Sequence, residues 1–138
     1  MADPMQQRLH FRIQTVTDVS DSRRKGMQLA LDMGFAHADA TKIAVVISEL
    51  ARNILIYAQT GTITVLPQQD PDGPRCIKII ADDKGPGIAH IDQAMTDGFT
   101  TSGGLGLGLS GSKRLMDEFF IHSQVNQGTT ITAVKWLK

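Results

Sequence analysis

The chain has 138 residues, which suits one domain over residues 1–138 with a single core and leaves no room for a second folded unit beside it. Its 14 lysines and arginines balance 14 aspartates and glutamates, so no net field gathers nucleic acid or an anionic membrane, and neither is expected as a partner. With 41% hydrophobic and 20% charged residues the composition is that of a globular protein rather than a disordered one.

The first residues, MADPMQQRLHF, lack the apolar core of a signal peptide, and no apolar run is long enough to cross a bilayer, so a cytoplasmic location is expected. His10 to Thr15 alternates as a first strand. Asp18 or Ser20 could cap a helix that reaches Asp32 and stops at Gly34. Asp39 or Thr41 could cap a second helix, in which Ile43, Val46, Ile47, Leu50 and Ile54 recur at helical spacing as far as about Ala58. Val45 and Ile56 fall off that stripe, to pack under a neighbouring helix or to form a partner-binding patch. Arg23, Arg24 and Lys25 read as a solvated helix face.

Gly61–Leu66 and Cys76–Ala81 look like strands joined by the surface loop PQQDPDGPR. Cys76, the sole cysteine, lies in an apolar run and reads as a buried, inert thiol. A short helix from Ala89, a glycine-rich stretch, and a helix from Ser110 to Phe119 follow. The strands Phe120–Val125 and Thr129–Leu137 close the chain around the turn NQG. This order predicts a two-layer α/β sandwich, a mixed sheet covered by helices on one face.

Three stretches could carry chemistry. Glu49 and Asn53, four apart in ISELARNI, stack on one side of the second helix at the border of its buried stripe, a position that also suits an ordinary polar edge. Asp83 in DKGPGI follows a strand, where a carboxylate could accept a hydrogen bond from the amine of adenine and the glycines would let a flat ligand approach. The same string also makes a plain tight turn. Gly103–Gly111, GGLGLGLSG, could converge backbone amides on phosphates ahead of a helix N-terminus, or be a flexible structural loop. It is neither a Walker A sequence nor a Rossmann turn.

ELARN, DxGPGI, the glycine-rich lid and GTTI at Gly128–Ile131 stand in a fixed order that resembles the signature of the GHKL ATPases. Within that superfamily, ISELARNI, DGFTTSGGLG, KRLMDEF and AVKWL resemble the RsbT-type serine/threonine kinases across nearly the whole chain. The resemblance implies the Bergerat fold, with ATP between a helix, the sheet and a lid. It also implies a magnesium-dependent transfer of phosphate to a serine or threonine of a STAS-domain antagonist and of stressosome scaffold proteins, after which the kinase is released to activate a PP2C-type phosphatase.

Carried over by residue, the resemblance makes Glu49 the catalytic base, Asn53 the magnesium ligand and Asp83 the reader of adenine. Gly85 and Gly87 would shape the base pocket. Gly104, Gly106, Leu107, Gly108 and Leu109 would lie near the phosphates, and Thr129 would support Asp83 through a water. No arginine or lysine stands between Gly98 and Gly108, so the γ-phosphate charge would be met by magnesium, amides, Lys113, Arg114 or a partner. His10, His37, His90 and His122 read as structural or surface residues, because the chain has no room for phosphoacceptor helices. Two other readings are an anti-sigma factor kinase and a nucleotide-gated binding module with negligible transfer.

Overall fold

A computed structural model describes residues 3–87 and 108–138. After a 3-10 turn at Pro4–Gln6 the chain forms β1 (Leu9–Ile13), α1 (Val16–Met33), α2 (His37–Asn53), a π-helical segment (Ile54–Ala58), β2 (Gly61–Gln69), β3 (Arg75–Asp83), α3 (Gly108–Leu115), β4 (Glu118–Gln124) and β5 (Gly128–Trp136). The helix expected from Ala89 and the lid as far as Leu107 fall outside the described residues.

Helix α1 starts earlier than expected because Thr15 is its cap. The Thr15 side chain accepts from the Asp18 amide and Asp18 accepts from the Thr15 amide, which satisfies two donors reciprocally. Asp18 is therefore the third residue of a capping box rather than the cap, and the amide of Gln14, together with that of Thr15, donates to its carboxylate and holds its pKa below the usual value. Gly34 ends the helix in the left-handed region, at φ 106°, as its sequence position suggests. Neither Asp39 nor Thr41 caps α2. That helix begins after Ala36 without a side-chain cap, and Thr41 instead bonds back to the carbonyl of His37.

All strand pairings are antiparallel, in the order β1-β2-β3-β5-β4, so the mixed sheet expected from the element order is corrected to an antiparallel one. Two helices stand between β1 and β2, and an up-and-down pair returns the chain to the end it left, which makes the next strand antiparallel. The segment after β3 does bring β4 back in the direction of β3. However, β5 folds in between them as the hairpin partner of one and the ladder partner of the other. Strands β2 and β3 also extend beyond their apolar runs. Pro67 pairs with Ile77 past the end of β1, with a neighbour on one side only, the edge situation in which a sheet tolerates proline.

The helices cover one face. Ile63, Val65, Ile77, Ile79, Ala81, Ile131 and Ala133, at alternate strand positions, are buried against Leu29, Ile43, Val46, Ile47 and Leu50. Each of these isoleucines, valines and leucines contributes about 1.5–3 kcal/mol relative to exposure, and the alanines less. Cys76 is buried as expected, and burial pushes its thiol pKa up, away from reactivity. At the far end of α3, Lys135 donates to the carbonyl of Leu115 at 2.9 Å and Asp117 accepts from the Trp136 amide at 2.7 Å. These bonds tie the C-terminus of α3 to β5.

Candidate active site

Alternation along β3 separates two adjacent aspartates. Asp83 shares parity with Ile79 and Ala81 and so belongs to the helix-covered side, whereas Asp82 falls on the other side, where Thr130 donates to it at 2.8 Å. Asp83 is flanked in register by Gly61 on β2 and Thr129 on β5. Its Oδ1 accepts from the Gly85 amide at 2.9 Å, which fixes the carboxylate at the strand end. Thr129 is buried, with its hydroxyl 2.8 Å from that of Ser123, and Ser123 donates to the carbonyl of Gly128. Ser123 thus holds the neighbour of Asp83, a role that no motif marks.

The turn beyond Asp83 needs its glycines. A Cβ at Gly85 would lie 2.6 Å from the Cβ of Ala58, so only glycine lets the turn close on the π-helical segment. Gly87 adopts φ 78° and packs on the backbone of Gln124, while the Asn126 amide donates to the carbonyl of Pro86 at 2.7 Å. The turn is therefore clamped between the end of the α2 arm and the β4–β5 hairpin.

On α2, Glu49 is 1% exposed, unusual for a carboxylate on the border of an amphipathic helix. Asn53 is half-buried, and its Oδ1 is buried with no hydrogen-bond partner among the described residues. An unpaired amide oxygen of this kind fits a hard cation such as magnesium, which takes oxygen ligands and keeps several waters. Among the described residues no group of three or more His, Cys, Asp or Glu could hold a metal alone, so such an ion would draw its other ligands from phosphate and water.

The helix turn widens immediately after Asn53. The α-helical expectation as far as Ala58 is corrected to a π-helical segment at Ile54–Ala58, a form often found at functional sites. In a continuous α-helix Tyr57, seven residues after Leu50, would join the buried stripe. In the wider turn it is 51% exposed, next to the Ala58 that meets Gly85. Its regular spacing hid this aromatic from the sequence reading. Ile56 is exposed as well, whereas Val45 is half-buried.

The third wall is the start of α3. Gly108 is buried at φ 61° and leads into the helix, whose first amides have no acceptor within the helix itself. The Leu109 side chain lies in the core, so what it offers a phosphate is its backbone amide. Gly104, Gly106 and Leu107 lie outside the described residues. Lys113 and Arg114 are exposed in the last turn of α3, about five residues or ~7.5 Å along the axis from Gly108.

Comparison with known proteins identifies the family. Residues 38–138 match the family of histidine kinase-, DNA gyrase B- and HSP90-like ATPases. The chain is 50% identical over 127 residues to the serine/threonine-protein kinase RsbT of Bacillus subtilis, covering 92% of this chain and 95% of the relative. It is 32% identical over 105 residues to the anti-sigma F factor of Geobacillus thermodenitrificans, covering 67% and 66% respectively. The crystal structure of the RsbU and RsbW domains of a Mycobacterium tuberculosis protein shares the fold, with a TM-score of 0.62 at 23% identity over 95% of this chain and 32% of that one. This chain belongs to the histidine kinase-, DNA gyrase B- and HSP90-like ATPase family, among its RsbT-type serine/threonine kinases.

Proposed function

We propose that the protein is a switch kinase that transfers the γ-phosphate of ATP to a serine or threonine of a STAS-domain antagonist and of related scaffold proteins, and then activates a PP2C-type phosphatase. The buried, unpaired Oδ1 of Asn53 one helical turn from the buried Glu49 is the observation that carries it, since this pairs a cation ligand with a candidate base. Magnesium held by Asn53 would supply charge neutralisation at the phosphates. Asp83 accepts from the adenine amine, with Thr129 beside it. The α3 amides receive phosphate oxygens, and Glu49 takes the proton of the attacking hydroxyl as its oxygen bonds to the γ-phosphorus and ADP leaves. Phosphoryl transfer needs little more than this positioning and electrostatic support. The 50% identity to a serine/threonine-protein kinase favours this reading over the anti-sigma one, at 32%.

The switch follows from charge. A phosphoserine carries about −1.5 to −2 at neutral pH and would face the ADP phosphates and the Glu49 carboxylate. A coupling of about 2.7 kcal/mol would weaken the kinase–STAS complex roughly a hundredfold and free the kinase. The test is the affinity of the kinase for the STAS protein before and after phosphorylation, with the phosphatase as competitor. A roughly hundredfold loss with handover to the phosphatase is expected. Equal affinities, or a stable ternary complex, would rule the exchange out.

A further inference from the structure

Arg52 stands between the two functional residues of α2 in sequence and is used by neither role assigned to them. At 100° per residue, Asn53 lies about 40° to one side of Glu49 around the helix and Arg52 about 60° to the other. Arg52 is half-buried, and its Nε is wholly buried with no hydrogen-bond partner among the described residues. The ion pairs formed among those residues, Arg24 with Asp21, Lys42 with Asp39 and Lys135 with Asp117, leave it out. A guanidinium cannot shed its charge, and a buried N–H on it without an acceptor is unfavourable until an anion or other acceptor arrives. Lys113 and Arg114, two of the groups that the sequence offers to meet the γ-phosphate charge, sit in the last turn of α3, away from the amides at its start.

We infer that Arg52 is a catalytic residue that binds the γ-phosphoryl group of ATP and supplies the positive charge missing from the segment Gly98–Gly108. The inference rests on the reading of Glu49, Asn53 and Asp83 as a nucleotide site. A γ-phosphate attacked by a hydroxyl held at Glu49 would lie against this stretch of α2, where Asn53 would hold a cation if one is bound, and Arg52 is the positively charged side chain carried there. Its N–H groups donate to the non-bridging oxygens as the bond from the γ-phosphorus to the β-phosphate oxygen breaks and the bond to the seryl oxygen forms. The seryl proton goes to Glu49, and Arg52 itself neither gains nor loses one.

The test is calorimetric titration of wild-type protein and Arg52→Gln with ADP and with AMPPNP, a non-hydrolysable ATP analogue, both with magnesium. ADP affinity should be unchanged, which also reports that the variant is folded. AMPPNP affinity should fall about tenfold or more, and transfer to the STAS protein by about 10². Arg52→Lys should recover part of the AMPPNP preference, because it restores the charge without the planar fork. AMPPNP affinity that is unchanged, or that falls in parallel with ADP, overturns the assignment. If the wild type binds neither nucleotide, the reading of the site itself fails, and the role of Arg52 with it.

Discussion

Glu49→Gln should bind ATP and magnesium nearly as the wild type does, while its rate of phosphate transfer falls by about 10² to 10⁴, the range for loss of a general base. The amide keeps the volume and polarity of a side chain that is 1% exposed, so the packing of α2 against the sheet should survive. What it loses is the capacity to take a proton from the attacking hydroxyl. Calorimetry and a single-turnover transfer assay on one preparation check both halves. A variant that keeps full transfer would remove Glu49 from the chemistry, and one that loses nucleotide binding would recast it as part of the binding site.

Asp83→Asn should weaken ATP binding by about 1.5–3 kcal/mol, roughly ten- to a hundredfold or more. The carboxylate is aligned by the Gly85 amide and lies in register with Thr129, so an asparagine would occupy the same place. Asparagine, however, exchanges a charge-assisted acceptor for a neutral one, or turns a donor toward the amine of adenine. Calorimetric titration with ATP, and with GTP in parallel, measures the effect. The wild type should prefer ATP because guanine presents a carbonyl where adenine has its amine. Unchanged ATP affinity in a folded variant would take Asp83 out of adenine recognition.

Most of the fold was legible because periodicity and turn chemistry agreed. The apolar stripe of Ile43, Val46, Ile47 and Leu50 identified α2, and Gly34 marked the end of α1. The sheet order was harder, because a pairing such as Asp83 with Thr129 depends on contacts some 46 residues apart that no local pattern encodes. The chain's own turns also misled in places. Pro67 looked like the end of a strand that in fact runs on to Gln69, since nothing in the sequence reveals that β1 has already ended beside it.

For the candidate site, the carboxylates and the amide stand out because ELARN and DxGPGI fall in a recognisable order. Tyr57 and Arg52, which the structure places beside the candidate residues, carry no signal in the sequence, for opposite reasons. The spacing of Tyr57 matches the buried stripe of an uninterrupted helix, and only the π-helical segment turns it outward. Arg52 lies opposite the stripe, where a cation is ordinarily solvated. What singles it out is the buried, unpartnered Nε, a property of packing rather than of sequence.

The proposed role requires that this nucleotide site transfer phosphate and not only respond to ATP. Its most direct test is incubation of the protein with γ-labelled ATP, magnesium and a purified STAS-domain partner, followed by mapping of any labelled residue by mass spectrometry. Magnesium-dependent label on a serine or threonine of the partner is expected, reduced by about 10² or more with Glu49→Gln. Tight ATP binding with no label on the partner, from wild type and variant alike, would contradict it.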